Sequence, residues 1–469
     1  MTDAIADSGS FRDPSGRIYQ RGGEIYRTVM GAAAGEFSQF RDSGLLEKLM
    51  RKGTLVSTRE VDARVLAKAG IDPAMVLHHE RVPFISYPYE WSFPLLKAAA
   101  ILHLNVQIEA LHAGFNLSDS TAYNVQFNGL KPVFIDVLSF RKYQEGEVWA
   151  GHRQFCEQFL NPLLLRSLFG IPHNSWFRGS LEGIETAMLA RMMPWWRNFS
   201  FNILSHVTMQ AKLQSAAVAN TVKSVARAKS VRLPKLGYER MLLALRDWIS
   251  RLEPKDTGVT VWQHYAENTT YDTVEQQAKK RFVADFCGKV KPKQLWDIGC
   301  NTGDYSEVAL SSGAGQVIGF DFDQGALERA YARARAKSLN LLPLYQDGAN
   351  PSPDQGWANL ERKSVASRGG ADAVVALAFE HHLAIGRNIP LDGVVDALVK
   401  LAPAGIIEFV EKQDPTVQQL LALREDIFPD YTREAFEKAL KAKARIVKRE
   451  TVSASGRTLY WFDRASRRK

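Results

Sequence analysis

Two hydrophobic rhythms divide the chain. From residue 294 onward, apolar runs of strand length alternate with stretches of helical spacing, which predicts a mainly parallel sheet with helices on both faces. The runs are QLWDI, QVIGFD, LNLLPLYQD and ADAVVALAFE. The front half follows another order. Residues 16–30 alternate apolar and polar positions around Gly22-Gly23, as a β-hairpin does. Residues 36–51 have helical spacing, TLVSTREV reads as a strand, and HERVPFISYPYEWS as a buried strand ending at Pro88. Residues 94–113 make a helix opened by Pro94 and closed by Gly114. A loop NLSDSTAYN, a strand VQF, a turn at Asn128-Gly129 and a strand PVFIDV come next, and a helical pattern runs from 151 to about 250.

Composition narrows this picture. A chain of 469 residues exceeds one ordinary core, and 45% hydrophobic residues with ten Trp and 24 Phe exclude global disorder. Cys156, Cys287 and Cys300 lie far apart with no CxxC pair, which excludes a disulfide scaffold or zinc ribbon and fits a cytoplasmic protein. The start MTDAIADSGS lacks the basic and apolar regions of a signal peptide. The most apolar stretch, FLNPLLLRSLFGI, is broken by Asn161, Pro162 and Arg166 and is too short to span a bilayer. The net charge of +9 is scattered among 51 acids. One acid-free basic stretch, KSVARAKSVRLPK from Lys223 to Lys235, reads as an interdomain segment able to touch phosphates, so a nucleic-acid partner is possible but not favoured.

The most specific chemical signal is QLWDIGCNTGDYSEVAL, in which a strand delivers Asp297, then Gly299 and Gly303, and a helix follows. Glycines there let the backbone turn tightly and approach a ligand. The spacing D-x-G-x-x-x-G differs from the G-x-G-x-x-G of nicotinamide sites. The second strand ends in Asp321, 24 residues after Asp297, an acid placed for two ribose hydroxyls. The third ends in Asp347, suited to an adenine amine, and the fourth brings Phe379, Glu380, His381 and His382 to the carboxyl edge of the sheet. His381 and His382 are candidate general bases.

These motifs resemble class I S-adenosylmethionine-dependent methyltransferases, over roughly residues 262–469. The resemblance implies a Rossmann-like fold with a seven-stranded sheet and S-adenosylmethionine as cofactor. It implies that Asp297, Gly299, Asn301 and Gly303 line the methionine arm, that Asp321 and its neighbour Phe322 meet the ribose, and that Asp347 and Gly348 meet the adenine. WQHYAENTTYDTVEQQAKKRFV looks like a helix capping the cofactor, with Tyr271 and Lys279 as secondary candidates. The N/D-P-P-Y/F tetrad of amino-group methyltransferases is missing, which favours an oxygen acceptor.

Upstream, Asp119 and Asn124 stand five apart, and Asp136 follows twelve residues later. This resembles the catalytic loop and metal-binding Asp of small aminoglycoside- and lipopolysaccharide-kinase-like folds, with YPYEW as hinge. The resemblance implies Asp119 as proton acceptor and Asn124 and Asp136 as magnesium ligands for ATP. The sequence departs from that pattern. It lacks a Gly-rich loop beyond Gly22-Gly23 and lacks the V-A-I-K lysine, for which Arg27 would stand with Glu36 as partner.

Over nearly its whole length the chain resembles a bacterial family labelled nodulation-type methyltransferases, through ISYPYEWSF, YNVQF, PVFIDVLSF, HHLAIGRNIPL and REDIFPDYT. The expected organisation is a kinase-like α+β module over 1–240, with a β-rich lobe to about 90 and a helical lobe beyond. A helical linker and capping region over 241–290 and a methyltransferase domain over 291–469 follow. The expected activity is O-methylation of a sugar or glycan. RNA methylation, a bifunctional kinase-methyltransferase and a non-catalytic cofactor-binding scaffold are the alternatives.

Overall fold

The computed structural model describes residues 3–219, 232–255, 273–422 and 424–464. Tyr271, the first part of the expected capping helix, most of the basic stretch from Lys223 and the last five residues lie outside them. The chain divides into two compact units, Met1–Asp256 with Asp354–Arg362, and Thr257–Pro353 with Lys363–Lys469.

The first unit opens with strands β1 (Ile5–Ala6), β2 (Ile18–Arg21), β3 (Glu24–Val29), β4 (Thr58–Val61) and β5 (Met75–His79), paired antiparallel in the order β1-β2-β3-β5-β4. The β2–β3 hairpin turns at Gly22 and Gly23, both at positive φ (59° and 88°), which a tight two-residue hairpin turn requires. The single helix expected over 36–51 is two, Gly31–Asp42 and Leu45–Arg51, because Gly44 at φ 77° breaks the ladder between them. They bury Phe37, Phe40, Leu45, Leu46 and Leu49.

The buried strand expected to end at Pro88 does not form over residues 80–87. Its backbone pairs with a side chain instead: Gln126 accepts from the Ser86 amide and donates to the Ser86 carbonyl, both at 2.9 Å. Pro88 then opens a single 3-10 turn, and the helix Phe93–His112 follows, buried along most of its length. Beyond it, β6 (Phe115–Leu117) pairs with β9 (Phe140–Lys142), and β7 (Val125–Asn128) with β8 (Lys131–Phe134). Helices occupy most of 152–250, two of them containing π-helical stretches at Cys156–Leu160 and Leu204–Met209.

The second unit is a seven-stranded sheet. Its strands are β10 (Gln294–Ile298), β11 (Gln316–Asp321), β12 (Leu341–Tyr345), β13 (Ala373–Ala376), β14 (Ala404–Phe409), β15 (Arg445–Thr451) and β16 (Thr458–Asp463), in the order β12-β11-β10-β13-β14-β16-β15. The first five run parallel, and β16 is antiparallel to both neighbours. β11 and β13 are buried at nearly every position, as strands covered on both faces are. The chain moves from β10 out to β12, then crosses back to β13. That reversal beside β10 opens a crevice at the carboxyl ends of the strands.

Candidate functional site

A cavity of about 600 Å³ lies in this crevice. The loop after β10 forms one wall. Gly299 at φ 78° holds a conformation strained for other residues, and a Cβ there would press on the Phe379 ring at 3.0 Å. Asn301 takes the left-handed conformation (φ 47°), which Asn tolerates, and its amide donates to Asp321 Oδ2 at 2.8 Å. The other carboxylate oxygen accepts from Asp323 N at 2.9 Å, so Asp321 clamps its own loop and the β10 loop together. Burial pushes the Asp321 carboxyl up to about 6, against the pull of the Asp323 and Asn301 amides.

Asp297, on β10, accepts a 2.6 Å hydrogen bond from Ser306 Oγ, which ties the strand to the helix Asp304–Ser311. Burial raises its carboxyl to about 7. Thr302 Oγ1 donates to Asp304 at 2.7 Å. Asp347 lies two residues beyond the end of β12 and accepts from Ala349 N at 2.9 Å. Asp297, Gly299, Asn301, Asp321, Phe322, Asp347 and Gly348 all line the cavity, together with Thr302, Asp304 and Tyr305. Gly303 does not. At φ 80° it caps the helix Asp304–Ser311 and faces Leu341 and Ala330, so its role is close packing rather than ligand contact.

The two histidines part company. His382 lines the cavity. His381 is fully buried, neither of its ring nitrogens makes a hydrogen bond, and its ring packs on His382 with centroids 4.0 Å apart. Burial drives both imidazoles to the neutral form, His382 down to about 4 with Arg457 adding to the fall. His381 is not among the residues that line the cavity.

A charged network stands behind the cavity, joining Lys279 and Glu380 to Glu408, Asp414 and Arg457, which no sequence motif marks. Lys279, fully buried and lining the cavity, donates to Glu408 Oε1 at 2.6 Å. Glu408 Oε2 accepts from Ala378 N, and Ala378 sits at φ 48°, a strained conformation for alanine on the cavity wall. Arg457 bonds Asp414 through two nitrogens (2.7 and 2.8 Å) and approaches Glu408 at 3.7 Å. Glu380 accepts from Tyr431 Oη and Val410 N, and burial raises its carboxyl to about 8. Glu408 lies near the end of the parallel strand β14 and Arg457 directly follows Gly456 at φ 89°, but no motif links the two.

In the first unit, Arg27, Asp119, Asn124 and Asp136 do converge. Asn124 Nδ2 donates to Asp119 Oδ1 at 3.1 Å and to Asp136 Oδ2 at 3.3 Å. Arg27 does not pair with Glu36, which is exposed on its helix. It bridges Asp136 (2.7 Å) and Asp13 (2.5 Å), because buried guanidinium needs a carboxylate on each side. Burial and the charge of Asp136 push the Asp119 carboxyl up to about 7. β8 ends at Phe134, so Asp136 lies in the turn beyond it rather than at the end of the strand.

Fold and cavity together define a Rossmann-like α/β domain with a ligand site at its topological switch point. The chain belongs to the family of nodulation protein NoeA of Rhizobium meliloti (strain 1021), to which it is 49% identical over 460 residues, 98% of this chain and 96% of that one. No family model matches the chain. Solved structures similar to it include a magnesium protoporphyrin IX methyltransferase from Synechocystis PCC 6803 with bound SAM (17% identity, TM-score 0.30, 45% of this chain and 86% of that one). Another is the N-methyltransferase NodS from Bradyrhizobium japonicum WM9 (13% identity, TM-score 0.30, 41% and 98%). Among the described residues no helix is long and apolar enough to cross a membrane.

Proposed function

We propose that the second unit is an S-adenosylmethionine-dependent methyltransferase whose acceptor is a hydroxyl of a sugar or glycan. One observation carries the reading. Four carboxylates, Asp297, Asp304, Asp321 and Asp347, line the cavity around the β10 loop, and Asp304 occupies the first turn of the helix where a dinucleotide would lay its pyrophosphate. Acids at that helix start repel phosphate and suit a cationic ligand. Arg333 takes part of the Asp304 charge at 2.9 Å, while Glu408 already takes that of Lys279. The donor set and the volume fit S-adenosylmethionine, which supplies an activated methyl group when bound. Asn301 and Thr302 would meet its methionine arm, Asp321 its ribose hydroxyls, and Asp347 its adenine.

The protein's own part is then positioning and exclusion of water, with His382 as the candidate base at the cavity wall. The glycan acceptor draws on the missing amino-group tetrad and on the resemblance to nodulation-type methyltransferases. Calorimetry with S-adenosylmethionine tests the cofactor, and transfer of labelled methyl to oligosaccharide or RNA fractions tests the acceptor. Label in RNA alone would end the glycan reading, and binding without turnover would leave a scaffold.

Two results follow at the bench. His382→Ala is expected to slow methyl transfer roughly 10²-fold, the low end for a general base because its pKa lies well below neutrality, with cofactor affinity unchanged. Equal rates for the variant and the parent would mean that transfer proceeds on proximity alone. Cofactor binding should also depend on pH. The ionised Asp321 is the form that accepts hydroxyl protons, and its carboxyl stands raised to about 6. Affinity should therefore rise as pH increases through about 6 and level off above it, and a flat profile from pH 5 to 8 would remove Asp321 from the contact.

The convergence of Asp119, Asn124 and Asp136 favours a second reading, a kinase-like nucleotide site in the first unit. Arg27 already supplies the cation that Asp136 needs, so magnesium would have to displace it. ATP with magnesium should raise the melting temperature of the parent but not of Asp136→Asn if that site is used. No response from either protein would leave Arg27 and the acids as a structural cluster.

A further inference from the structure

Away from both sites, three metal-ligating side chains of the first unit face one another. His152 and Cys156 stand four residues apart across one helical turn, so both project from the same face. His206 arrives from a second helical segment, and its Nδ1 lies 2.9 Å from His152 Nε2. Cys156 Sγ lies 3.6 Å from the same His152 nitrogen. All three ligand atoms fall within 4.8 Å of one another, with Cys156 and His206 buried and His152 half-buried. A tetrahedral zinc ion with bonds of about 2.0–2.1 Å to nitrogen and 2.3 Å to sulfur separates two nitrogens by about 3.4 Å and a nitrogen from a sulfur by about 3.6 Å. The His152–Cys156 spacing is already met, the His206 nitrogen lies within 4.8 Å of the sulfur, and the imidazoles need part by only a few tenths of an ångström.

The backbone departs from regular helix at the same places. Cys156 opens the π-helical stretch Cys156–Leu160, and His206 lies inside the stretch Leu204–Met209. Such bulges gather at functional sites because they re-aim side chains that a regular α-helix would turn away. The rings are held from behind: Trp248 stacks on His206, and Trp149 packs against His152. Support of this kind fixes the orientation of metal-binding imidazoles. Trp149 Nε1 is buried with no acceptor, and a water on the ion's fourth position would offer it one. Among the described residues, neither Cys287 nor Cys300 has a comparable set of partners.

We propose that His152, Cys156 and His206 bind a zinc-type divalent transition metal, with His152 through Nε2, His206 through Nδ1 and Cys156 as thiolate. Two imidazoles and one thiolate form a borderline-soft donor set, which selects zinc and cobalt(II) over magnesium or calcium. Binding releases the thiol proton to solvent, and the proton shared between the imidazoles moves to a ring nitrogen facing away from the ion. The site is independent of the cofactor reading and of the acidic cluster around Asp136.

Full-length protein freed of any histidine tag would be analysed for bound metals and then titrated with cobalt(II) after chelation. One zinc per chain and a sulfur-to-cobalt charge-transfer band are expected. Cys156→Ser should abolish that band, and His206→Gln should weaken cobalt affinity at least about tenfold, more than loss of a supporting residue does. His112→Gln, at an exposed histidine, should bind as the parent does. A circular-dichroism spectrum and melting profile matching the parent's report that the variants remain folded. Should either variant fail to fold, the cobalt band of the parent decides alone, because only thiolate ligation produces it. A parent protein without stoichiometric metal, whose cobalt titration shows no sulfur band, overturns the proposal.

Discussion

Arg457→Leu is expected to lower the melting temperature of the second unit by about 6–20 °C. The side chain is 4% exposed and satisfies three buried groups: Asp414 through two hydrogen bonds, Thr416 Oγ1 at 2.9 Å, and Glu408 at 3.7 Å. Leucine fills much of the space and keeps no charge, so Asp414 and Glu408 are left buried with less compensation. Removing one partner of a buried ion pair costs about 3–5 kcal/mol, and each kcal/mol shifts the midpoint of a unit of this size by about 2–4 °C. Arg457→Lys retains the charge but loses the two-pronged fit to Asp414, and should fall between. Lys441→Ala, which breaks an exposed pair with Glu437 one helical turn away, should change the midpoint by less than a degree or two. Calorimetric melts of the four proteins check the order. A loss for Arg457→Leu no larger than for Lys441→Ala would show that water reaches the network.

That network marks the limit of what the sequence conveys. The parallel sheet and its acid-tipped strands are legible because each signal is local: an apolar run, a glycine turn, an acid at a fixed offset. Asp321 and Gly299 were readable on those terms. Arg457 and Glu408 meet across 49 residues; Gly456 marks a turn beside Arg457, but nothing local pairs it with Glu408, and only packing reveals the contact. Adjacent His381 and His382 could not be told apart, because a one-residue step on a short helix decides which ring faces the cavity. Gly303 carried the same signal as Gly299 but serves a packing contact with Leu341. In the front half, Arg27 pairs with Asp136, 109 residues away, whereas Glu36, near it in sequence, faces solvent. Residues 80–87 read as a strand because they are apolar, yet the Gln126 side chain takes the backbone groups that a ladder would have used.

Asp321→Ala is expected to weaken S-adenosylmethionine binding roughly 10²-fold. Two effects combine in that figure. A hydrogen bond from a neutral hydroxyl to a carboxylate is worth about 1.5–3 kcal/mol, and two ribose hydroxyls sharing one carboxylate bring the total to about 3 kcal/mol even at the low end. The same carboxylate accepts from Asn301 N and Asp323 N, so alanine also frees the loop that shapes the cavity. Asp321→Asn separates the two. Its one oxygen can still accept from the Asn301 amide, whereas its amide group cannot accept from a hydroxyl, so a loss near tenfold is expected. A thermodynamic cycle with a cofactor product lacking the 2′-hydroxyl isolates the direct contact. Removing that hydroxyl should weaken binding to the parent by about tenfold and leave binding to Asp321→Ala almost unchanged. If the deoxy compound loses the same factor against both proteins, Asp321 acts through the loop alone, and the ribose is held by another residue of the cavity wall.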